Sequence, residues 1–173
     1  MTYSRITILL HWVIALLILA AFGLGFVMTD IPGITPTKLK YFSWHKWVGI
    51  TVLFLAAIRL IWRLKHPAPP YQHLMPRWQL LISGLAHGAL YILMFAVPLS
   101  GYFYSLAAGV PVVYLGVLPL PVLIDADPVL KPVLKELHLT LTYLLLTLIS
   151  LHVLAVIKHQ FIDKDNIIKR MLP

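Results

Sequence analysis

Residues 133–157 read VLKELHLTLTYLLLTLISLHVLAVI, and past Glu136 they contain no Asp, Glu, Lys or Arg. About 20 predominantly apolar residues are enough for a helix to cross ~30 Å of hydrocarbon. A helix is required there, because lipid offers no partner for backbone polar groups. Two histidines, His138 and His152, interrupt the run. Fourteen residues separate them, and at ~100° per residue they fall about 40° short of four full turns. Both imidazoles therefore face nearly the same way, ~21 Å apart along the axis.

Three further apolar stretches are also long enough to span, at residues 6–28, 41–62 and 80–106. The chain as a whole agrees: 60% of its 173 residues are apolar, 12% are charged, and the mean hydropathy is +0.88. A soluble domain carries about twice that share of charge. The expectation is an all-α integral membrane protein, one four-helix domain over residues 1–173. The first run is too long for the ~7–15-residue core of a signal peptide, so it is read as a retained span. The net charge of +8 belongs to membrane topology rather than to nucleic acid, since no soluble basic face is indicated. With the N-terminus inside, Arg5, Arg59, Arg63, Lys65, Arg77, Lys158, Lys164, Lys169 and Arg170 lie on the inner side, against Lys38, Lys40, Lys46, Lys131 and Lys135 outside. The positive-inside rule favours that orientation, N-in and C-in. His66 and His73 sit in a Pro-rich, stiff 2–3 loop and read as solvated. The apolar, Pro-rich 3–4 connection (residues 107–132) is expected to lie on the outer membrane surface or cap the bundle, and Pro98 to kink the third span.

Histidine inside lipid is costly and marks function by default. His11 in the first span and His152 in the fourth lie at one depth near the inner face. His45 in the second and His138 in the fourth lie at one depth near the outer face. A single such histidine is explained as well by a hydrogen bond to a neighbouring carbonyl. Two pairs at matched depths, with one helix contributing to both, are what bis-histidine ligation of two stacked haems requires. The absence of cysteine excludes thiolate metal sites and iron–sulfur clusters. A closed zinc site needs four converging ligands, and the spans lack the carboxylates of a di-iron site. His87 lies level with the inner pair, either as an alternative ligand or as a contact to a propionate, a quinone or a water chain. His159, seven residues past His152, is a candidate for binding or protonating a quinone, or an ordinary interfacial histidine beside Lys158. Arg59 and Arg63 are candidates for haem propionates. The five tryptophans fall near interfaces, as an aromatic belt does.

These residues carry a resemblance. Tyr3-Ser4-Arg5, His11-Trp12, the run Arg59–Lys65 leading into Pro67-Ala68-Pro69-Pro70, Gly84-Leu85-Ala86-His87, Glu136-Leu137-His138, Leu151-His152, and His159 followed by Lys164-Asp165-Asn166 and Arg170-Met171 together resemble the bacterial cytochrome b561 family. These are short four-helix di-haem proteins of the inner membrane, and the likeness is greatest to those that oxidise superoxide and reduce ubiquinone. The resemblance implies two haems b: an inner one on His11 and His152, an outer one on His45 and His138. It also implies quinone chemistry near the inner haem, with His87 and His159 as candidates.

The expected activity is one-electron oxidation of periplasmic superoxide to dioxygen, with the electrons delivered to membrane ubiquinone. Lys38, Lys40, Lys46, Lys131 and Lys135 would concentrate the anion at the outer face. A second reading makes the chain the electron-transfer anchor of a periplasmic dehydrogenase or hydrogenase. A third is a haem-free membrane scaffold.

Overall fold

The computed structural model describes residues 3–67, 76–165 and 167–172. It contains four long helices, α1 (Arg5–Asp30), α2 (Pro36–Lys65), α3 (Arg77–Ala107) and α4 (Leu130–Lys158). All four are long and apolar enough to cross a membrane. His73 and Ala68–Pro70 of the Pro-rich loop lie outside the described residues; His66 is exposed, its ring stacked on Trp62.

Side-chain oxygens start three of the helices by satisfying backbone N–H groups that have no intrahelical partner. Ser4 Oγ accepts from Thr7 N at 3.3 Å, and Thr35 Oγ1 accepts from Lys38 N at 3.1 Å with Pro36 in the first turn. Ahead of α4, Asp127 Oδ1 accepts from Val129 N and Leu130 N at 2.7 and 3.0 Å. α3 continues through Pro98 to Ala107.

All four helices meet in one mid-bundle cluster: Ile14 and Ile18 of α1, Val52 and Ala56 of α2, Leu93 and Met94 of α3, and Leu145 of α4. Ala56 is fully buried, its small side chain allowing close approach at the centre. Outside this cluster little is covered: no more than 22% of the most apolar window of any helix is buried. Hydrophobic surface on that scale has lipid as its partner. α1 packs along α2, α3 along α4, and α2 joins the two hairpins, whereas α1 and α4 make no extensive backbone contact.

At one end of the bundle the 3–4 connection folds back as a cap. Its antiparallel strands β1 (Val113–Tyr114) and β2 (Leu118–Pro119) pair Val113 with Pro119 and Tyr114 with Leu118. The turn places Leu115 at φ 53° and Gly116 at φ 75°, and only glycine adopts the second without steric cost. Trp47 Nε1 donates to Val113 O at 2.7 Å, the Tyr102 hydroxyl donates to Pro121 O, and Val112 is buried against Tyr102 and Leu106. Of the two expected placements, the connection takes the cap.

The other end carries both termini. Past α4 the chain makes a π-helical turn (His159–Asp163), reverses at Lys164 in the left-handed region, and ends in a 3₁₀ turn (Ile167–Arg170). Tyr3 N donates to Arg170 O at 3.3 Å, Trp12 Nε1 donates to Met171 O at 2.8 Å, and the guanidinium groups of Arg63 and Arg170 lie 5.4 and 5.5 Å from the centre of the Tyr3 ring.

Candidate haem sites

α4 presents His138 toward the capped end and His152 toward the terminal end, and each meets a histidine from the other hairpin. The His45 and His138 ring centroids are 6.3 Å apart with planes at 85°, and those of His11 and His152 are 6.5 Å apart at 78°. An imidazole nitrogen lies about 2 Å from a first-row metal and the ring centre about 1 Å beyond, so two imidazoles trans on one iron have centroids on the order of 6 Å apart. Both pairs match that separation. They bridge α2 to α4 and α1 to α4, helix pairs whose backbones make no extensive contact.

The capped-end pair is also in the right tautomer. His45 Nδ1 donates to Ala21 O on α1 at 2.9 Å; His138 Nδ1 lies 3.1 Å from Val97 O and 3.1 Å from Ser100 Oγ on α3. A carbonyl only accepts, so Nδ1 carries the proton and Nε2 keeps its lone pair for a metal, the arrangement that orients metal-binding histidines generally. Glycine makes room for the His138 ring, while at His45 a methyl group would be tolerated. A Cβ at Gly101 would lie 2.9 Å from His138 Cε1, and one at Gly25 would lie 3.5 Å from His45 Cε1. Further along the helices, Gly49, Gly84 and Gly88 face space in which a Cβ would meet nothing within 4 Å. Paired donors, fixed tautomers at the capped end and the clearance at Gly101 fit a haem.

At the terminal end three histidines converge. The His87 and His152 centroids are 5.4 Å apart at 81°. His87 Nδ1 donates to Ser83 O at 2.6 Å, which leaves its Nε2 free. His11 differs: Arg59 NH1 lies 3.0 Å from its Nδ1, and Arg59 Nε donates to Tyr91 OH at 3.1 Å. A guanidinium only donates, so Nδ1 of His11 is the acceptor and the proton of the neutral ring sits on Nε2. Ligation through Nε2 therefore requires Arg59 to turn away from His11. His11 and His87 both remain candidate partners of His152.

The other candidates are dispersed. Arg63 lies over Tyr3 rather than in the histidine cluster. His159 is apart from the inner three, its Nδ1 2.7 Å from Asp165 and 3.1 Å from Asp163. Of the five lysines, Lys46 donates to Ser105 Oγ at 3.0 Å and lines a cleft of about 210 Å³ with Ser43, Trp47, Val110, Pro111 and Val113. Lys38 donates to Ile31 O at 2.7 Å, Lys40 lies 4.8 Å over the Trp44 ring, and Lys131 and Lys135 are exposed. Sequence reasoning missed the Arg59 contact, the carboxylates on His159 and the role of Gly101. Ser83, four residues before His87 and hence on its helix face, was a readable signal.

The family model for prokaryotic cytochrome b561 matches residues 2–173. The chain belongs to that family. It is a multi-pass membrane electron-transfer protein, and the family binds haem b. Among relatives, it is 32% identical to cytochrome b561 homolog 2 of Escherichia coli K12, over 98% of this chain and 90% of that one. It is 31% identical to the probable superoxide oxidase CybB of Yersinia pestis, over 99% and 96%, and 29% identical to cytochrome b561 homolog 1 of Escherichia coli K12, over 99% and 97%.

Proposed function

We propose that this cytochrome binds two haems b and uses them to oxidise periplasmic superoxide and reduce ubiquinone in the bacterial inner membrane: two superoxide anions, one quinone and two protons give two dioxygen and one quinol. The observation that carries the reading is the pair of histidine couples at trans-diimidazole separation, one toward each end of α4. A haem held by such a histidine couple would supply a one-electron carrier, with transfer at its edge favoured over oxygen binding. His45 and His138 would hold the haem at the capped end; His152 with His11 would hold the one at the terminal end, with His87 the alternative to His11.

The chain's other residues have distinct tasks. The positive-inside count supports termini in the cytoplasm and the cap in the periplasm. Lys46 then lines a periplasmic cleft beside the outer pair, where a small anion is attracted, and Lys38, Lys40, Lys131 and Lys135 extend that field. The packed core around Ile14, Ala56 and Leu145 separates the two ends and keeps water out. Arg59, beside His11, is the cation nearest the inner site for a haem carboxylate, and Arg63 lies further out over Tyr3. His159 stands at the cytoplasmic end, where a quinone headgroup and protons meet. The likeness to the probable superoxide oxidase of Yersinia pestis supports the donor.

The test is a dithionite-reduced minus oxidised spectrum of purified protein with haem quantified per chain, repeated with superoxide as the reductant. About two low-spin b haems, both reduced promptly by superoxide, are expected. Two haems that ignore superoxide would refute the donor and leave a protein donor, as in an anchor subunit; colourless protein would refute the haem reading.

A further inference from the structure

The turn after α4 carries a cluster that haem binding does not use. His159 Nδ1 is 2.7 Å from Asp165 Oδ2 and 3.1 Å from Asp163 Oδ2, and Lys158 Nζ is 2.5 Å from the same Asp163 oxygen. The two carboxylates are not equivalent, because Asp163 is already neutralised by Lys158. Asp165 is the more enclosed, its side chain 12% exposed against 28% for Asp163, and it makes the shorter contact to the ring. The backbone builds this arrangement: the π-turn and the left-handed Lys164 fold the chain so that a residue six positions on reaches back to His159. Single π-turns are rare and recur at functional sites. On the same turn, the buried side-chain oxygen of Gln160 has no hydrogen-bond donor among the described residues. A water or a ligand hydroxyl would supply one.

We infer that Asp165 and His159 form a carboxylate–imidazole dyad that delivers protons to the quinone, with Asp165 as the positioning residue; this rests on the quinone reading above. Asp165 accepts from Nδ1–H, which fixes the ring's orientation and turns Nε2 to the opposite side. When Nε2 carries a proton, the carboxylate balances the ring's charge. The Nε2–H bond breaks as an O–H bond forms on the quinone oxygen, and Nε2 is reprotonated from cytoplasmic water. Two such deliveries accompany the two electrons that superoxide supplies through the protein, giving the quinol.

The experiment uses the haem-loaded full chain in lipid nanodiscs, reduced with dithionite and freed of excess reductant. It is mixed with ubiquinone-1 and, separately, with ferricyanide, an oxidant that takes no proton. Ubiquinone-1 affinity is measured independently by quenching of tryptophan fluorescence. For D165N, the limiting rate of reoxidation by quinone falls about tenfold and by H159Q about a hundredfold. In D165N the ubiquinone-1 affinity, and in both variants the ferricyanide rate, stay within about twofold, and D165E recovers most of the quinone rate. An unchanged quinone rate in D165N, or an equal loss with ferricyanide, overturns the dyad. So does copurification of a stoichiometric metal ion that D163N and D165N abolish, since the cluster is then a metal site. Wild-type protein that ferricyanide reoxidises and ubiquinone-1 does not would bring down the quinone reading itself, and the dyad with it.

Discussion

Replacing Gly101 with alanine tests whether His138 is held for a haem. The added methyl carbon would lie 2.9 Å from His138 Cε1 and 3.2 Å from Nδ1. Ordinary contact begins near 3.4 Å, so ring or helix must move by about 0.5 Å. The ring has little freedom to yield, because Val97 O and Ser100 Oγ hold its Nδ1 at 3.1 Å. Metal–ligand distances tolerate only about ±0.2 Å, so the displacement exceeds what an axial bond absorbs. Overpacking of this kind costs roughly 1–3 kcal/mol, while alanine in place of glycine inside a helix contributes up to about 1 kcal/mol in the other direction. The fold should survive and the outer site should not. Haem quantified per chain is expected to fall from about two to about one in G101A, with the remaining haem spectrally intact. Gly25→Ala, whose methyl would sit 3.5 Å from His45, should keep both haems. G101A protein with two haems and an unchanged spectrum would refute the argument that this glycine holds the ligand in place.

Removing either member of the capped-end pair, in H45A or H138A, should cost one haem and leave the other; loss of neither haem in the reduced spectrum would sink the outer site. At the terminal end, H152A removes the inner haem, and comparing H11A with H87A settles its partner. If His11 ligates, H11A loses that haem and H87A keeps it, and the reverse result assigns His87. Lys46→Gln should slow haem reduction by superoxide severalfold at low ionic strength, with the difference shrinking as salt screens the field; equal rates at low salt would remove Lys46 from anion capture.

The long elements were the most legible part of the chain. Apolar runs at 6–28, 41–62, 80–106 and 133–157 correspond to helices that extend one to five residues further at each end, because capping groups such as Ser4 and Thr35 lie outside the apolar windows. The meeting of His138 with His45 and of His152 with His11 was readable because helical period and depth are arithmetic. The approach of His87 to His152 was harder to read, since depth says nothing about which helices are neighbours. Arg59 on His11 joins α2 to α1 across 48 positions and leaves no periodic trace. The hairpin at Val113–Pro119 was invisible because its residues are apolar on both faces, so the two-residue alternation that announces a strand is missing. The dyad at His159 depends on a π-turn and a left-handed lysine, which no residue pattern here announces.

The contacts of Tyr3 and Trp12 with residues 170 and 171 also bear on when the bundle can close. Tyr3 and Trp12 emerge first during synthesis, yet their backbone and indole partners are Arg170 and Met171. This end of the bundle therefore cannot close until Arg170 and Met171 have been made, while α1 and α2 can already pair. Closure waits for the 3₁₀ turn to leave the ribosome. Until then the His11 end of α1 lacks these two partners, and the paired helices alone hold it.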